Sequence, residues 1–181
     1  MNKPSEAQIV PVDHNLYRKF LNVYSLWKQL NRNLMDIQAR KANFPTEVSE
    51  GVIAYNYSDF SLLKNASADI FDNKNNHYIE VKTTSNFGYD LSSFSPNSKF
   101  NNLFFGRLDF DNDNLYIYNL NKSIDEIKII AVNQAQSFEA QQNQKRRPRF
   151  SVIKDVIEPH RMVEELVIDM ITGNIITDNR S

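Results

Sequence analysis

Apolar residues recur at three- and four-residue steps from Leu16 through Phe20, Val23, Tyr24, Trp27, Leu30 and Leu34 to Ile37. That spacing predicts an amphipathic helix, with Asp13 as its N-cap and residues 1–12 as an extended lead-in. The triplet Asn31-Arg32-Asn33 leaves open one helix or two. The stripe reads as core packing, with the alternative that part of it forms a dimer interface. A second helix is expected from Pro45 to about Tyr57, with proline at its first position and Glu47 and Glu50 on neighbouring parts of one face.

The period then drops to two. Ala68 to Phe71 reads as a short strand, Asp72 to Asn76 as turn chemistry, and His77 to Thr83 as a strictly alternating strand. Residues 85–99 read as a polar loop, Leu103–Phe110 and Leu115–Leu120 as strands joined by a turn. Ser123-Ile124-Asp125-Glu126 is a capping-box signature opening a helix. Gln134–Gln144 reads as a polar helix, Lys145–Arg149 as a basic turn, Phe150–Ile153 as a strand and Met162–Ile171 as a helix. The sum is an α/β (α+β) domain, a mixed β-sheet flanked by helices.

Composition narrows the chemistry. At 181 residues the chain suits one domain. Cysteine is absent, which excludes disulfides, Cys-based zinc sites and cysteine nucleophiles. Three scattered histidines argue against a His-rich metal site, and four glycines against a Gly-rich phosphate loop. No apolar run is long enough for a signal peptide or a membrane span, so the expected location is cytoplasmic. The net charge of -1 means that any nucleic-acid role must come from a local basic patch.

Asp69, Glu80 and Lys82 stand out. Glu80 and Lys82 share one strand face with Tyr78, while Ile79 and Val81 take the other. If residues 73–76 form the turn, Asp72 pairs with His77 and Asp69 faces Glu80, with Cβ atoms roughly 4.5–5.5 Å apart. Facing like charges destabilise a sheet, and a divalent cation between them reverses the sign. Lys82, about 7 Å along the strand, can then hold or activate an attacking water. That is minimal equipment for metal-assisted phosphodiester hydrolysis. A second match, Asp113 with Glu126-Ile127-Lys128, fails because its glutamate opens a helix. The plain alternative is an exposed hairpin face with a Glu–Lys contact.

The order of a helix with Glu50, a strand with Asp69 and a strand with Glu80-Val81-Lys82 resembles the PD-(D/E)xK nuclease superfamily, and within it the small type II restriction endonucleases. Phe44 to Gly51 is similar to their first catalytic helix, Ser67-Ala68-Asp69 with Ile79 to Lys82 to their metal hairpin, and Asp90 to Pro96 to a loop that follows it. Arg146 to Ser151 resembles a late segment of the group cutting GCNGC. Ala68 stands where the superfamily name has proline. The resemblance implies a restriction-endonuclease-like core. It makes Asp69 and Glu80 Mg²⁺ ligands, Lys82 the water-positioning residue and Glu50 the helix carboxylate completing the site, with Glu47 as competitor. It further implies 5′-phosphate ends, a homodimer and a partner methyltransferase. On this reading one nuclease domain spans 1–181, with a helical region at 1–43, a catalytic core at 44–131 and a recognition region at 132–181.

Double-stranded DNA needs phosphate anchors and base readers. Lys145, Arg146, Arg147, Arg149, Lys154 and Arg161 fall close together, and arginine is the usual reader of guanine. The candidate DNA-binding residues are therefore Gln144, Lys145, Arg146, Arg147 and Arg149, with Ser92, Ser93, Ser95 and Lys99 near the scissile phosphate. The competing readings are a repair nicking enzyme or junction resolvase of the same fold, and a non-catalytic DNA-binding module.

Overall fold

The Asp13 carboxylate accepts the Leu16 N–H at 2.7 Å and opens a continuous helix, α1 (His14–Asp36), in the computed structural model, which describes residues 7–180. The first six residues of the expected lead-in lie outside the described ones. The Asn triplet causes no break. Asn31 is fully buried, donates to the Trp27 carbonyl and accepts from Ala42 N–H, so it ties the helix to the chain that follows. In chain order come β1 (Gln8–Val10), α1, α2 (Thr46–Asn56), β2 (Phe60–Lys64), β3 (Ile70–Asp72), β4 (His77–Thr84) and β5 (Ser92–Ser93). They are followed by β6 (Asn102–Asp109), β7 (Asn114–Asn119), α3 (Ile124–Ile127), β8 (Ala131–Asn133), β9 (Gln136–Ser137) and α4 (Phe138–Asn143). The last elements are β10 (Arg149–Phe150), a π-helical turn (Ile153–Ile157) running into α5 (Glu158–His160), β11 (Leu166–Asp169) and β12 (Ile175–Asp178).

Eight strands form one mixed sheet in the order β1-β2-β3-β4-β6-β7-β11-β12. Its one parallel pairing among the described residues joins β4 to β6, Ile79 opposite Asn102 through Thr84 opposite Arg107. Both faces are covered. One core packs Tyr17, Tyr24, Trp27, Val52 and Ile53 from the helices on Ile79, Val81, Phe104 and Leu108. The other packs Phe94, Phe138, Phe150 and Val156 on Leu103, Phe105 and Tyr118. β6 therefore feeds both cores from alternate residues, as a central strand must. Two glycines are required by close approach. A Cβ on Gly51 would lie 2.2 Å from the Phe20 ring, so only glycine lets α1 and α2 meet there. A Cβ on Gly106 would lie 3.0 Å from the Thr83 hydroxyl.

Four expectations are corrected. Met162–Ile171 is a strand region, because Leu166-Val167-Ile168 is inserted between β7 and β12 and buried throughout. β2, unpredicted, sits between β1 and β3. Phe150–Ile153 is strand only at Phe150, and Val152 onward is helical. Gln134–Gln144 begins with the β8–β9 hairpin and becomes helix only at Phe138. On α1 the buried ridge is Tyr17, Leu21, Tyr24, Trp27, Lys28 and Asn31, while Val23, Leu30 and Ile37 from the predicted stripe are exposed, as is Leu26. Among the described residues no helix is long and apolar enough to cross a membrane.

Candidate active site

The β3–β4 register places Ile70 opposite Ile79 and Asp72 opposite His77, so Asp69 lies one step beyond the ladder at the level of Glu80. There the backbone parts and the side chain takes over. Asp69 N–H still donates to the Ile79 carbonyl at 3.0 Å, but the next donor, Val81 N–H, goes to Asp69 Oδ2 at 2.7 Å. This bond fixes the carboxylate at the strand end. Among the described residues nothing donates to Asp69 Oδ1. Glu80 and Lys82 share one face as alternation demands, with Lys82 Nζ 2.5 Å from Glu80 Oε1. The Lys82 ammonium also lies 5.2 Å from the centre of the Phe94 ring, which supports it from below. Far from being an exposed hairpin face, Glu80 is buried, and its Oε2 has no hydrogen-bond partner among the described residues.

Glu50 enters from α2. Thr83 Oγ1 donates to Ser49 Oγ at 2.7 Å, and Ser49 Oγ donates to the Thr46 carbonyl at 2.7 Å. These hydroxyls lock the helix to β4 and aim the next residue, Glu50, at the strand. Glu50, Asp69, Lys82, Thr83 and Thr84 line a cavity of about 330 Å³ together with Thr46, Asp90, Leu91, Ser92 and Ser93. Glu47 is exposed in the first turn of α2 and lines no part of it. Burial is the main cause of the altered acidity here. It pushes Glu50 up to about 7, aided by the charges of Asp69 and Glu47. Asp69 is raised by burial against the pull of Val81 N–H and Lys82, and Glu80 by burial against the pull of Lys82.

Three carboxyl groups made weaker acids than usual by burial, with one ammonium held against Glu80, form a site short of positive charge. Among the described residues no three His, Cys, Asp or Glu side chains are already gathered at metal-binding distances. The donor set nevertheless fits Mg²⁺, which takes oxygen ligands, retains waters and needs only one or two carboxylates. The free Asp69 Oδ1 belongs to a residue that lines the cavity, whereas Glu80 does not line it and its partnerless Oε2 is buried.

The predicted DNA residues divide by position. Lys145, Arg146, Arg147 and Arg149 are exposed, and among the described residues none forms an ion pair. Gln144, also exposed, accepts from Gln136 Nε2 at 3.3 Å. Arg149 pairs with Ser93 across β5–β10, which brings the basic turn to the cavity wall. Ser92 and Ser93 line the cavity, though the Ser92 hydroxyl donates to Asp90 at 2.7 Å and Ser93 Oγ is buried without a partner. Ser95 and Lys99 lie outside the cavity. Ser95 Oγ accepts from Asn97 N–H, and Lys99 lines a neighbouring hollow with Gln142. Residue-by-residue reasoning did not single out Thr46, Thr83 and Thr84 or the carboxylate of Asp90. The Ser-x-x-x-Asp pattern at Ser151–Asp155 marks the helix start that Asp90 caps, but nothing local links it to a residue some sixty positions earlier.

Comparison with known proteins adds the family context. Residues 12–159 match the model of the family described as Bsp6I restriction endonuclease. A curated relative, the type II restriction enzyme Bsp6I of Bacillus sp. (strain RFL6), is 38% identical over 167 residues, covering 92% of this chain and 95% of the relative. No solved structure matches the chain with significance.

Proposed function

This chain belongs to the Bsp6I restriction endonuclease family and is a type II site-specific deoxyribonuclease, and from that premise we propose that its catalytic centre is Glu50, Asp69, Glu80 and Lys82, arranged as in the PD-(D/E)xK superfamily, and that it uses Mg²⁺. The single observation that carries this reading is the handover from backbone to side chain at Asp69. A strand-end carboxylate fixed by Val81 N–H, with its other oxygen free, lies level with Glu80, whose buried Oε2 has no partner. Asp69 and Glu80 would hold the ion, and Glu50 would complete its surroundings through water. The ion, when bound, supplies charge stabilisation at the phosphate and acidifies water.

The residues of the chain do the rest. Lys82, held by Glu80 and seated over Phe94, is placed to orient the attacking water and to take part in its deprotonation. Arg146, Arg147 and Arg149 grip the duplex, with Gln144 and Lys145 beside them, and Ser93 belongs to the cavity wall to which Arg149 is paired. Cleavage leaves 5′-phosphate ends. The proposed target is GCNGC, and a near-palindrome of that kind calls for two copies of the chain. The exposed ridge Val23, Leu26, Leu30 and Ile37 on α1 and just beyond its end is the apolar surface available for pairing. Such an enzyme implies a protecting methyltransferase in the same host.

The test is digestion of a fully sequenced plasmid with Mg²⁺, followed by sequencing of the fragment ends. Defined 5′-phosphate ends at one repeated sequence are expected, and that sequence fixes the specificity. Lys82→Ala should abolish cutting. Undiminished cutting by the variant would remove Lys82 and the proposed centre with it.

A further inference from the structure

We propose that Asp90 is the positioning residue that fastens the arginine-rich turn to the wall of the catalytic cleft, so that DNA gripped by the turn is held in register with Lys82. The proposal rests on the reading of the cleft given above and adds a residue to it.

Asp90 is 3% exposed, yet it carries a carboxylate. Such a group is tolerated in an interior only when donors surround it. Here four do. Its Oδ1 accepts from Ser151 Oγ at 2.7 Å and Ile153 N–H at 3.0 Å, and its Oδ2 from Ser92 Oγ at 2.7 Å and Val152 N–H at 3.0 Å. Three of those donors belong to the segment that begins straight after the basic turn, and the fourth belongs to the cavity wall. Two of them are the first N–H groups of a helical segment, whose positive end favours an anion.

The clasp does not act alone. β5 and β10 pair only two residues each, Ser92 with Phe150 and Ser93 with Arg149, and Phe94 N–H adds one bond to the Pro148 carbonyl at 3.0 Å. Two-residue ladders are weak by themselves. The Phe94 and Phe150 rings stack with centroids 5.3 Å apart and planes within 1°. Phe94 is also the ring beneath the Lys82 ammonium. A continuous path thus runs from Arg149 through the short ladder and the stacked rings to Lys82, and Asp90 closes it at the other end. An ordinary helix cap joins neighbours in the chain, whereas this one joins the cleft wall to the segment that grips DNA.

Asp90→Asn tests the role. An amide keeps the size, but one of its two heads donates, so it cannot accept from all four partners. The substrate is a short duplex carrying a site mapped from plasmid ends. Single-turnover cleavage with Mg²⁺ is measured beside equilibrium binding of the same duplex with Ca²⁺, and thermal melting reports the fold. The expected result is a cleavage rate lowered by about 30-fold or more, because displacements near 1 Å at a reacting centre carry penalties of that order. Affinity should change less than about threefold, since phosphate contacts dominate it. Should Asp90→Asn fail to melt cooperatively, Ser151→Ala decides. It removes one donor and should lower the rate by about fivefold at unchanged affinity, and Ser151→Thr should restore it. Rates within twofold of the unaltered protein, or rate and affinity falling in parallel, overturn the proposal alone. No cleavage by the unaltered protein would overturn the cleft reading and the proposal together.

Discussion

Replacing Glu50 with Gln should make the protein more stable while stopping it from cutting DNA. Burial, with Asp69 and Glu47 nearby, raises the Glu50 carboxyl from 4.5 to about 7. A carboxyl raised in the fold binds its proton more tightly there than in the unfolded chain. Its contribution to stability is therefore full below about pH 4.5 and is lost as pH rises through 7. Integrated over that interval the penalty is ~3 kcal/mol at pH 8, and about 2–3 kcal/mol once solvent at the partly exposed edge is allowed for. The amide that replaces the carboxyl has no such proton to lose and keeps the volume. With chelator present, Glu50→Gln should melt roughly 5–10 °C above the unaltered protein at pH 8, and the two should converge near pH 5. Saturating Mg²⁺ should narrow the gap at pH 8, because the cation stabilises the ionised carboxylate. Melting curves across pH, with and without Mg²⁺, are the assay. A variant no more stable than the parent at pH 8, or a gap that is independent of pH, would refute the reasoning.

Arg149, nearest the cleft, is predicted to grip phosphate. Arg149→Ala should weaken binding to all duplexes alike and lower the slope of log affinity against log salt by about 1, whereas a loss confined to one base position would show that it reads sequence. Leu26→Glu with Leu30→Glu on the exposed ridge of α1 should convert the proposed dimer to a monomer in sedimentation experiments while the monomer still melts cooperatively, since neither side chain contributes to the core. Tyr24→Phe removes the hydroxyl that donates to Asp113 at 2.6 Å and should cost about 1.5–3 kcal/mol in urea unfolding, because Asp113 also bears the buried Lys28 ammonium. An unchanged midpoint would mean that the hydroxyl bond adds nothing there.

Much of the candidate site's geometry was legible because it depends on strand pairing. Alternation alone puts Glu80 and Lys82 on one face, and the turn at residues 73–76 sets the register that brings Asp69 level with Glu80. The Asp13 cap and the Ser123 capping box are equally local and appear as read. The misread elements are those whose partners lie far away. Leu166-Val167-Ile168 is a short apolar run with no period of its own, and only its place between β7 and β12 makes it a strand. The ridge of α1 split for a related reason. The periodic pattern held two apolar faces, and the core took the one bearing Tyr17, Leu21 and Tyr24 because the sheet and α2 lie there.

The parallel pairing of β4 with β6 explains why the cleft has a far wall at all. Antiparallel neighbours can be joined by a tight turn, whereas parallel neighbours need a crossover of a dozen residues or more. In many folds a helix fills that crossover, but residues 85–101 carry serines, asparagines, Gly88 and Pro96, which do not sustain one. The segment folds back over the end of β4 instead, where its backbone needs partners. β10 provides them through Ser92 and Ser93, and Phe94 fills the space under Lys82. The same strand therefore carries Glu80 and Lys82 and, through its parallel neighbour, obliges a loop to close over them. Shortening that loop between Gly88 and Ser93 would remove Asp90 and the ladder together, and should abolish duplex cleavage and lower the melting temperature, because Phe94, Phe150 and Val152 belong to the second core.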